Sequence, residues 1–534
     1  MVACKLIIFL SVISTSVWAQ SNRYVVFFKD KNNTPYSLSN PEAFLSTKSI
    51  NRRDHSRIAV TEDDLPVNPS YVSQVKAAGA KTFFRSKWMN AVLVEASPAV
   101  IAVIVNLPIV SKIQFVAPGT KLIGGRTKEL KIRNSADSPA ATRTQLEMLG
   151  LDSMHSEGYY GEGITVSVFD SGFPGVNVAQ AFQPIFTENR LKMTTDFVAN
   201  SGNVYQYNQH GTEVFSIIAA QLTNAFEGGA FKASYILFVT EDVSSEYKIE
   251  EYNWLFAAEK ADSAGTDVIQ SSLGYNTFDD ASMNYTVANL DGKTAVISKA
   301  AAFARDRGII VVVSAGNEGN NQWHFITPPA DVEGVIATGS VNSSLVKSNF
   351  SSVGPTADGR TKPDVVALGQ GTATILANGS VGSDTGTSLA APLVTSLVTG
   401  LLQAYPQLTP AEIIQAIKLS ASKGNSPGPM IGYGIPNYIA IKNYLESNQS
   451  GDEVFIYPNP AASTLNLAFK KIPEGIVDLT FYDSQGKLLA NPDFSSLDWQ
   501  NNPVTISLSN LVAGTYLMKV KTASIIKTFR FVKL

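Results

Sequence analysis

Between residues 135 and 446, short β-branched runs alternate with longer apolar stretches of helical length, and this alternation limits the fold more than any other feature of the 534-residue chain. Strands are read at Ile164–Phe169, Ser234–Val239, Asp267–Ser272, Ile309–Ser314 and Val335–Gly339. Helices are read at Glu213–Ala220, Ile249–Ala264, Thr294–Arg305, Ser388–Gln403 and Pro410–Lys418. The strand runs are apolar at successive positions, as they must be when helices cover both faces of a sheet. The expected class is therefore α/β, a doubly wound and mostly parallel sheet. In such sheets ligands sit at the carboxyl ends of the strands.

The flanks follow other patterns. Residues 22–134 read β, α, β, β, α, β: Tyr24–Phe28, Pro69–Ala78, a strand pair over Lys81–Glu95, Ser97–Val105 and Ile109–Val116. That order suits a small α+β sheet with helices on one side. Arg52, Arg53, Asp54 and His55 lie in a polar stretch and read as a solvated charge cluster. Pro118–Ser138 has few apolar anchors and reads as an exposed, cuttable linker. After a polar linker at Ser447–Asp452, six short strands recur between Glu453 and Lys533, the pattern of a small all-β sandwich. The expected domains are 1–19, 20–134, 135–446 and 453–534.

Residues 1–19 have the form of a secretory signal: Lys5, an apolar run Leu6–Val17, then Val17-Trp18-Ala19 before Gln20. Cys4, the one cysteine, would leave with it, so disulfides and cysteine-held zinc are excluded from the exported chain. Ser388–Leu402 is apolar but short and interrupted by Pro392, so it reads as a core helix and no membrane span is expected after signal removal. With 42 Lys+Arg against 45 Asp+Glu, the chain has no basic excess to recommend nucleic acid as a partner.

Hydrolysis by an activated serine requires a nucleophile, a histidine base, an orienting carboxylate and donors for the developing oxyanion. With four histidines in the chain the base has few candidates. His210 opens an apolar helix in Asn208-Gln209-His210-Gly211-Thr212; Asp170 ends a strand before Ser171-Gly172. Ser388 starts a long apolar helix in Gly386-Thr387-Ser388-Leu389-Ala390, where unpaired backbone N–H groups favour negative charge. Asn317 follows a strand in Ser314-Ala315-Gly316-Asn317, with an amide able to donate. Taken singly, each has an ordinary structural reading as a turn or a helix cap.

Together, in the order Asp170, His210, Asn317, Ser388, these strings resemble the subtilisin-like serine proteases (subtilases) over about Gln145–Leu445. The resemblance implies Ser388 as nucleophile, His210 as base then acid, Asp170 as orienting carboxylate, and Asn317 with the Ser388 N–H as oxyanion hole. Ser272, Leu273 and Gly274 would pair with an extended substrate, and Ser314, Ala315 and Gly316 would wall the specificity pocket. Protein or peptide substrates are implied, with no cofactor. Structural calcium has no clear ligand motif, and Asp279-Asp280 reads equally as a solvated turn. The family commonly carries Met after the nucleophile; Leu389 stands here, which implies resistance to mild peroxide. His155 resembles a helix-packing residue. His324 reads either as an edge of the specificity pocket or as part of a surface aromatic cluster.

The first block resembles the inhibitory propeptides of secreted subtilases, cut somewhere in Lys121–Ser138, so the chain's own propeptide is an expected intramolecular inhibitor. The last block resembles the C-terminal sorting domain of type IX secretion. The strings that carry this likeness are Val454-Phe455-Ile456-Tyr457-Pro458-Asn459-Pro460, Tyr482-Asp483-Ser484-Gln485-Gly486 and Leu511-Val512-Ala513-Gly514-Thr515-Tyr516. It implies the secretion machinery as partner and an extracellular or surface-attached product. The alternative reading is a non-catalytic surface binding or adhesion protein on the same scaffold. An ester hydrolase fits less well, because Ser388 is not flanked as Gly-x-Ser-x-Gly.

Overall fold

The computed structural model describes residues 21–119, 142–449, 454–457, 459, 461, 463–469, 477–489, 503–523 and 525–533. The expected signal, the linker after Gly119 and the polar stretch from residue 450 to 452 lie outside the described residues. The chain divides into two units, residues 1–35 with 66–122, and residues 36–65 with 123–534.

In the first unit, four antiparallel strands lie in the order Lys81–Ser86, Ala91–Ala96, Asn22–Phe28, Val110–Pro118. Helices Pro69–Ala77 and Pro98–Ile104 each start with a proline, which has no N–H to leave unpaired. They are capped by Asn68 and Ser97 and bring Val72, Val75 and Ile104 to a core with Val26, Val92 and Val94.

The second unit is built on seven parallel strands. They are β1 (Thr165–Asp170), β2 (Leu191–Asp196), β3 (Ser234–Val239), β4 (Val268–Ser271), β5 (Ile310–Ser314), β6 (Ile336–Val341) and β7 (Val365–Leu368), in the order β7-β6-β5-β4-β1-β3-β2. Every pairing between neighbours is parallel. The order reverses beside β1, so its carboxyl end opens onto the crevice where such sheets bind ligands. The unit's helices include α1 (Thr47–Ser56), α2 (His210–Ala219), α3 (Ile249–Ala264), α4 (Val296–Asp306) and α5 (Thr387–Ala404). Thr387 to Leu401 of α5 are all buried, and its leucines and valines share one core with β1, β5 and α2. By length and composition α5 could cross a membrane, but its burial is that of a core helix.

Arg52 and Arg53 depart from expectation. They lie on α1, not in a solvated loop, and are buried. Both guanidinium groups reach Asp262 of α3, Arg52 at 2.6 Å and Arg53 at 2.9 Å. Arg53 and Arg307 then share Asp64, at 3.2 and 2.9 Å. A fully buried carboxylate must be paired, and here three arginines pair with two buried acids. Strands β2 and β7 and the hairpin Gln370–Ile375/Val381–Thr385 were not anticipated. Near the C-terminus, two three-stranded antiparallel sheets face each other across Leu465, Leu467, Phe481, Ile506, Met518 and Phe531, the expected sandwich.

Candidate active site

Asp170 is the last residue of β1 and has no exposed surface. Its Oδ1 accepts from the Ser171 N–H at 2.7 Å, from the Ser171 hydroxyl at 3.1 Å and from Nδ1 of His210 at 2.8 Å. An ionised carboxylate only accepts, so Nδ1 carries the proton and Nε2 is left free to accept one. His210 is the first residue of α2, and its N–H is held by the Asn208 side chain at 2.8 Å. The glycine after it is required by space. A Cβ on Gly211 would lie 2.2 Å from the Gly172 carbonyl oxygen and 2.9 Å from Cβ of Asp170. Any side chain there would push the imidazole off its carboxylate.

Burial alone would push the His210 imidazole down. The hydrogen-bonded Asp170 carboxylate, with Glu241 and Glu213 behind it, outweighs burial and holds the pKa at about 9. Glu213, one turn along α2, is itself pushed up to about 8 by burial and by the charge of Asp384.

Ser388 is the second residue of α5. Gly386, at the cap, offers no side chain to the first N–H groups, and the Ser388 N–H has no acceptor among the described residues. A Cβ on Gly386 would lie 2.7 Å from the Ser388 Oγ and 3.6 Å from Nδ2 of Asn317, so both polar atoms flank this one position. Thr387 settles the orientation of Asn317. Its N–H and hydroxyl both donate to Oδ1 at 2.9 Å, which turns Nδ2 toward Gly386 and Ser388. Nothing in the Gly386-Thr387-Ser388 string by itself assigns Thr387 this role; the hydroxyl between the glycine and the serine is the available signal.

The structure thus brings Asp170 together with His210, and Asn317 together with Ser388. No hydrogen bond joins His210 to the Ser388 hydroxyl among the described residues; such bonds are commonly long in ligand-free sites. Ser272 points inward. Its hydroxyl donates to the Ser388 carbonyl at 2.8 Å and accepts from Gln270. The reason lies one turn on: Pro392 has no N–H for that carbonyl, so the α-helical bond from residue 392 cannot form. Leu273 is buried and Gly274 exposed. Ser314 and Ala315 are buried too, and Ala315 pairs on both sides, donating to Thr338 and accepting from Thr327. Gly316 is half-buried and Asn317 exposed. A cavity of about 960 Å³ opens beside these segments, lined in part by Gly274, Asn276, Glu318, Trp323 and Phe325. His324 turns back to the Gly319 carbonyl at 2.7 Å and packs edge-on against Phe325. His155 is a packing residue, bonded to Glu227 and the Gly229 carbonyl between Tyr160 and Phe231.

Comparison with known proteins adds three family matches. Residues 161–435 match the subtilase family (Peptidase S8), residues 23–132 the Peptidase S8 propeptide domain of Bacteroidota, and residues 455–533 the secretion system C-terminal sorting domain. Subtilisin NAT of Bacillus subtilis subsp. natto is 33% identical over 288 residues, covering 51% of this chain and 65% of that protein. Subtilisin of Bacillus pumilus is 31% identical over 280 residues, covering 51% of this chain and 88% of that protein. The chain thus spans less than two thirds of the length of subtilisin NAT. A solved structure of MycP1 from the ESX-1 type VII secretion system matches with a TM-score of 0.47 and 20% identity, over 58% of this chain and 88% of MycP1. The sorting domain marks the chain for export. With a seven-stranded parallel sheet behind the site and a family match over about half its length, this chain is a member of the subtilase family.

Proposed function

We propose that this protein is a secreted serine endopeptidase made as an inactive precursor. The observation that carries the reading is the buried Asp170 carboxylate on Nδ1 of His210 at 2.8 Å, at the carboxyl end of the same sheet from which α5 presents Ser388 beside Asn317. The Ser388 Oγ attacks the scissile carbonyl carbon while Nε2 of His210 takes its proton, and Asp170 stabilises the imidazolium. The carbonyl electrons collect on the oxygen, which accepts from the Ser388 N–H and from Nδ2 of Asn317. The C–N bond then breaks, and His210 returns its proton to the leaving amine. Water repeats the sequence on the acyl-enzyme and releases the acid.

Extended protein or peptide segments are the proposed substrates, lying along Ser272–Gly274 and Ser314–Gly316. Residues 23–132 act as the intramolecular inhibitor, a cut between Lys121 and Ser138 begins their release, and residues 455–533 engage the export machinery. Casein cleavage by the processed protein tests the reading against Ser388→Ala. By analogy with knock-outs of such triads, the variant loses on the order of 10⁶ in kcat. Equal turnover refutes the assignment and leaves the non-catalytic binding protein as the better account.

A further inference from the structure

Just beyond the carboxyl end of β3, the chain runs from Thr240 to Lys248 before entering α3. Glu241 and Glu246 lie on this segment and Glu250 in the first turn of the helix. One carboxylate oxygen from each lies within 4.8 Å of the others. Acidic residues in a first helical turn are ordinary, because the helix dipole favours them. Glu250 is not ordinary. It has no exposed surface, and neither of its carboxylate oxygens has a hydrogen-bond partner.

Its neighbour shows what this helix does with a buried acid when it is to stay bare. Glu251, equally buried, receives the Tyr285 hydroxyl on both oxygens, at 3.0 and 2.8 Å, and the Ile297 N–H at 3.1 Å. Glu250 receives nothing comparable: the Tyr247 backbone favours its charge without forming a full hydrogen bond, and the charges bearing on it are those of Glu246, Glu241 and Asp242. Burial and those acids push its pKa well up, so without a cation it holds a proton, and that buried O–H still has no acceptor. Among the described residues no cation pairs with it either. Lys248, the nearest lysine in sequence, lies over the rings of Phe278 and Tyr285 instead, 5.5 and 4.1 Å from their centres. The Tyr275 hydroxyl, buried and also without a partner, faces the same three glutamates.

We propose that Glu241, Glu246 and Glu250 form a divalent-cation site, with calcium as its ion, that fastens the 240–248 segment to the head of α3. An ion about 2.3–2.6 Å from each of three oxygens spans the observed spacing, and an oxygen-only set selects a hard cation. Three carboxylates leave further positions to water, as calcium's six to eight ligands allow. The site borders the cleft, because Glu246 also lines the cavity that reaches Gly274 and Trp323. It does not depend on the proteolytic reading, and its test uses protein that cannot cleave itself.

The test is thermal unfolding of the full-length Ser388→Ala protein in millimolar CaCl2 and in EDTA. Calcium is expected to raise Tm by roughly 3 °C or more. In Ser388→Ala/Glu250→Gln that rise disappears, while in EDTA the double variant unfolds at or above the parent temperature, because an uncompensated buried acid has gone. Should that variant fail to fold, Ser388→Ala/Glu246→Gln replaces it, as Glu246 is only half-buried; calorimetric titration with CaCl2 is then expected to show binding weakened at least tenfold. The proposal is overturned by the absence of any calcium-dependent shift in the parent, or by an undiminished shift or undiminished calcium binding in the glutamine variants. It is equally overturned if arginine-bearing peptides bind the parent in EDTA and need Glu250 while calcium changes nothing, which would make the cluster a receptor for a basic side chain.

Discussion

The His210 imidazole is held above its usual range by the Asp170 carboxylate, and on the proposed mechanism this sets how activity responds to pH. A protonated imidazole cannot accept the Ser388 proton, so kcat/KM falls as pH drops through the pKa of the free enzyme. From the sequence alone that fall belongs near the reference value of ~6.5. Asp170, Glu241 and Glu213 move it upward, toward about 9. The acid limb of a pH–rate profile is therefore expected above 6.5, and a limb at or below 6.5 shows that the field of these acids is not felt. In Asp170→Asn, the residual activity is expected to have its limb shifted back down. Asn317 gives a second prediction. With Oδ1 committed to Thr387, its Nδ2 is the only side-chain donor the reading assigns to the oxyanion. Asn317→Ala should lose about 10²–10³ in kcat with KM little changed; a variant altered mainly in KM would make Asn317 a binding residue instead. Leu389, next in sequence to the proposed nucleophile, is buried, so no thioether stands there to oxidise. Activity should outlast mild peroxide relative to Leu389→Met, as followed by residual peptide cleavage, and equal decay rates would count against this. These residues were legible because each sits in a short string with a chemical meaning. The three glutamates were not, since only the fold brings a loop pair and a helix residue to one point.

Among the elements, legibility followed burial. Strands β3, β4 and β5 and helix α3 are buried along nearly their whole length, and their apolar runs announce them. Strand β2 reads Leu-Lys-Met-Thr-Thr-Asp and lies at the sheet edge, where half-burial requires no such run. The hairpin from Gln370 to Thr385 is mostly Thr, Gly, Ser and Ala, and pairing by backbone bonds leaves little trace in composition. Helix α5 was legible as a helix, but the consequence of its proline was not. Pro392 frees the carbonyl of Ser388, and the Ser272 hydroxyl takes it up at 2.8 Å. A sequence shows Ser272 and Pro392 as unrelated residues 120 positions apart. Ser272→Ala should strand a buried carbonyl and cost about 1–3 kcal/mol, read by urea unfolding in the Ser388→Ala background. An unchanged midpoint would mean that water or the helix itself satisfies that oxygen.

At the scale of the whole molecule, the boundary between the propeptide match and the subtilase match does not follow the compact units. Residues 23–132 match a propeptide domain, yet residues 36–65 belong to the same compact unit as the parallel sheet. The reason is electrostatic. Asp262 of α3 has no exposed surface and pairs with Arg52 and Arg53, while Asp64 joins Arg53 to Arg307. Lys48 adds a pair with Asp267 at 2.6 Å at the entry to β4. Sequence reading put these arginines in solvent because nothing local to Arg52-Arg53-Asp54-His55 names a partner some 210 residues away. Removing Arg53 takes one guanidinium from both buried acids at once, and breaking a buried pair costs about 3–5 kcal/mol. A cut after Gly119 would therefore not free the N-terminal fragment, because residues 36–65 remain fastened by side chains that no peptide bond in the linker touches. Ser388→Ala protein nicked in that linker by a second protease should run as one species on size exclusion and as two on a denaturing gel. Arg53→Ala should release the fragment or lower the stability of the nicked form by the stated amount. Separation of the unaltered nicked protein into two species would show that the arginine network does not outlast the peptide bond, and that the prosegment is held by the linker alone.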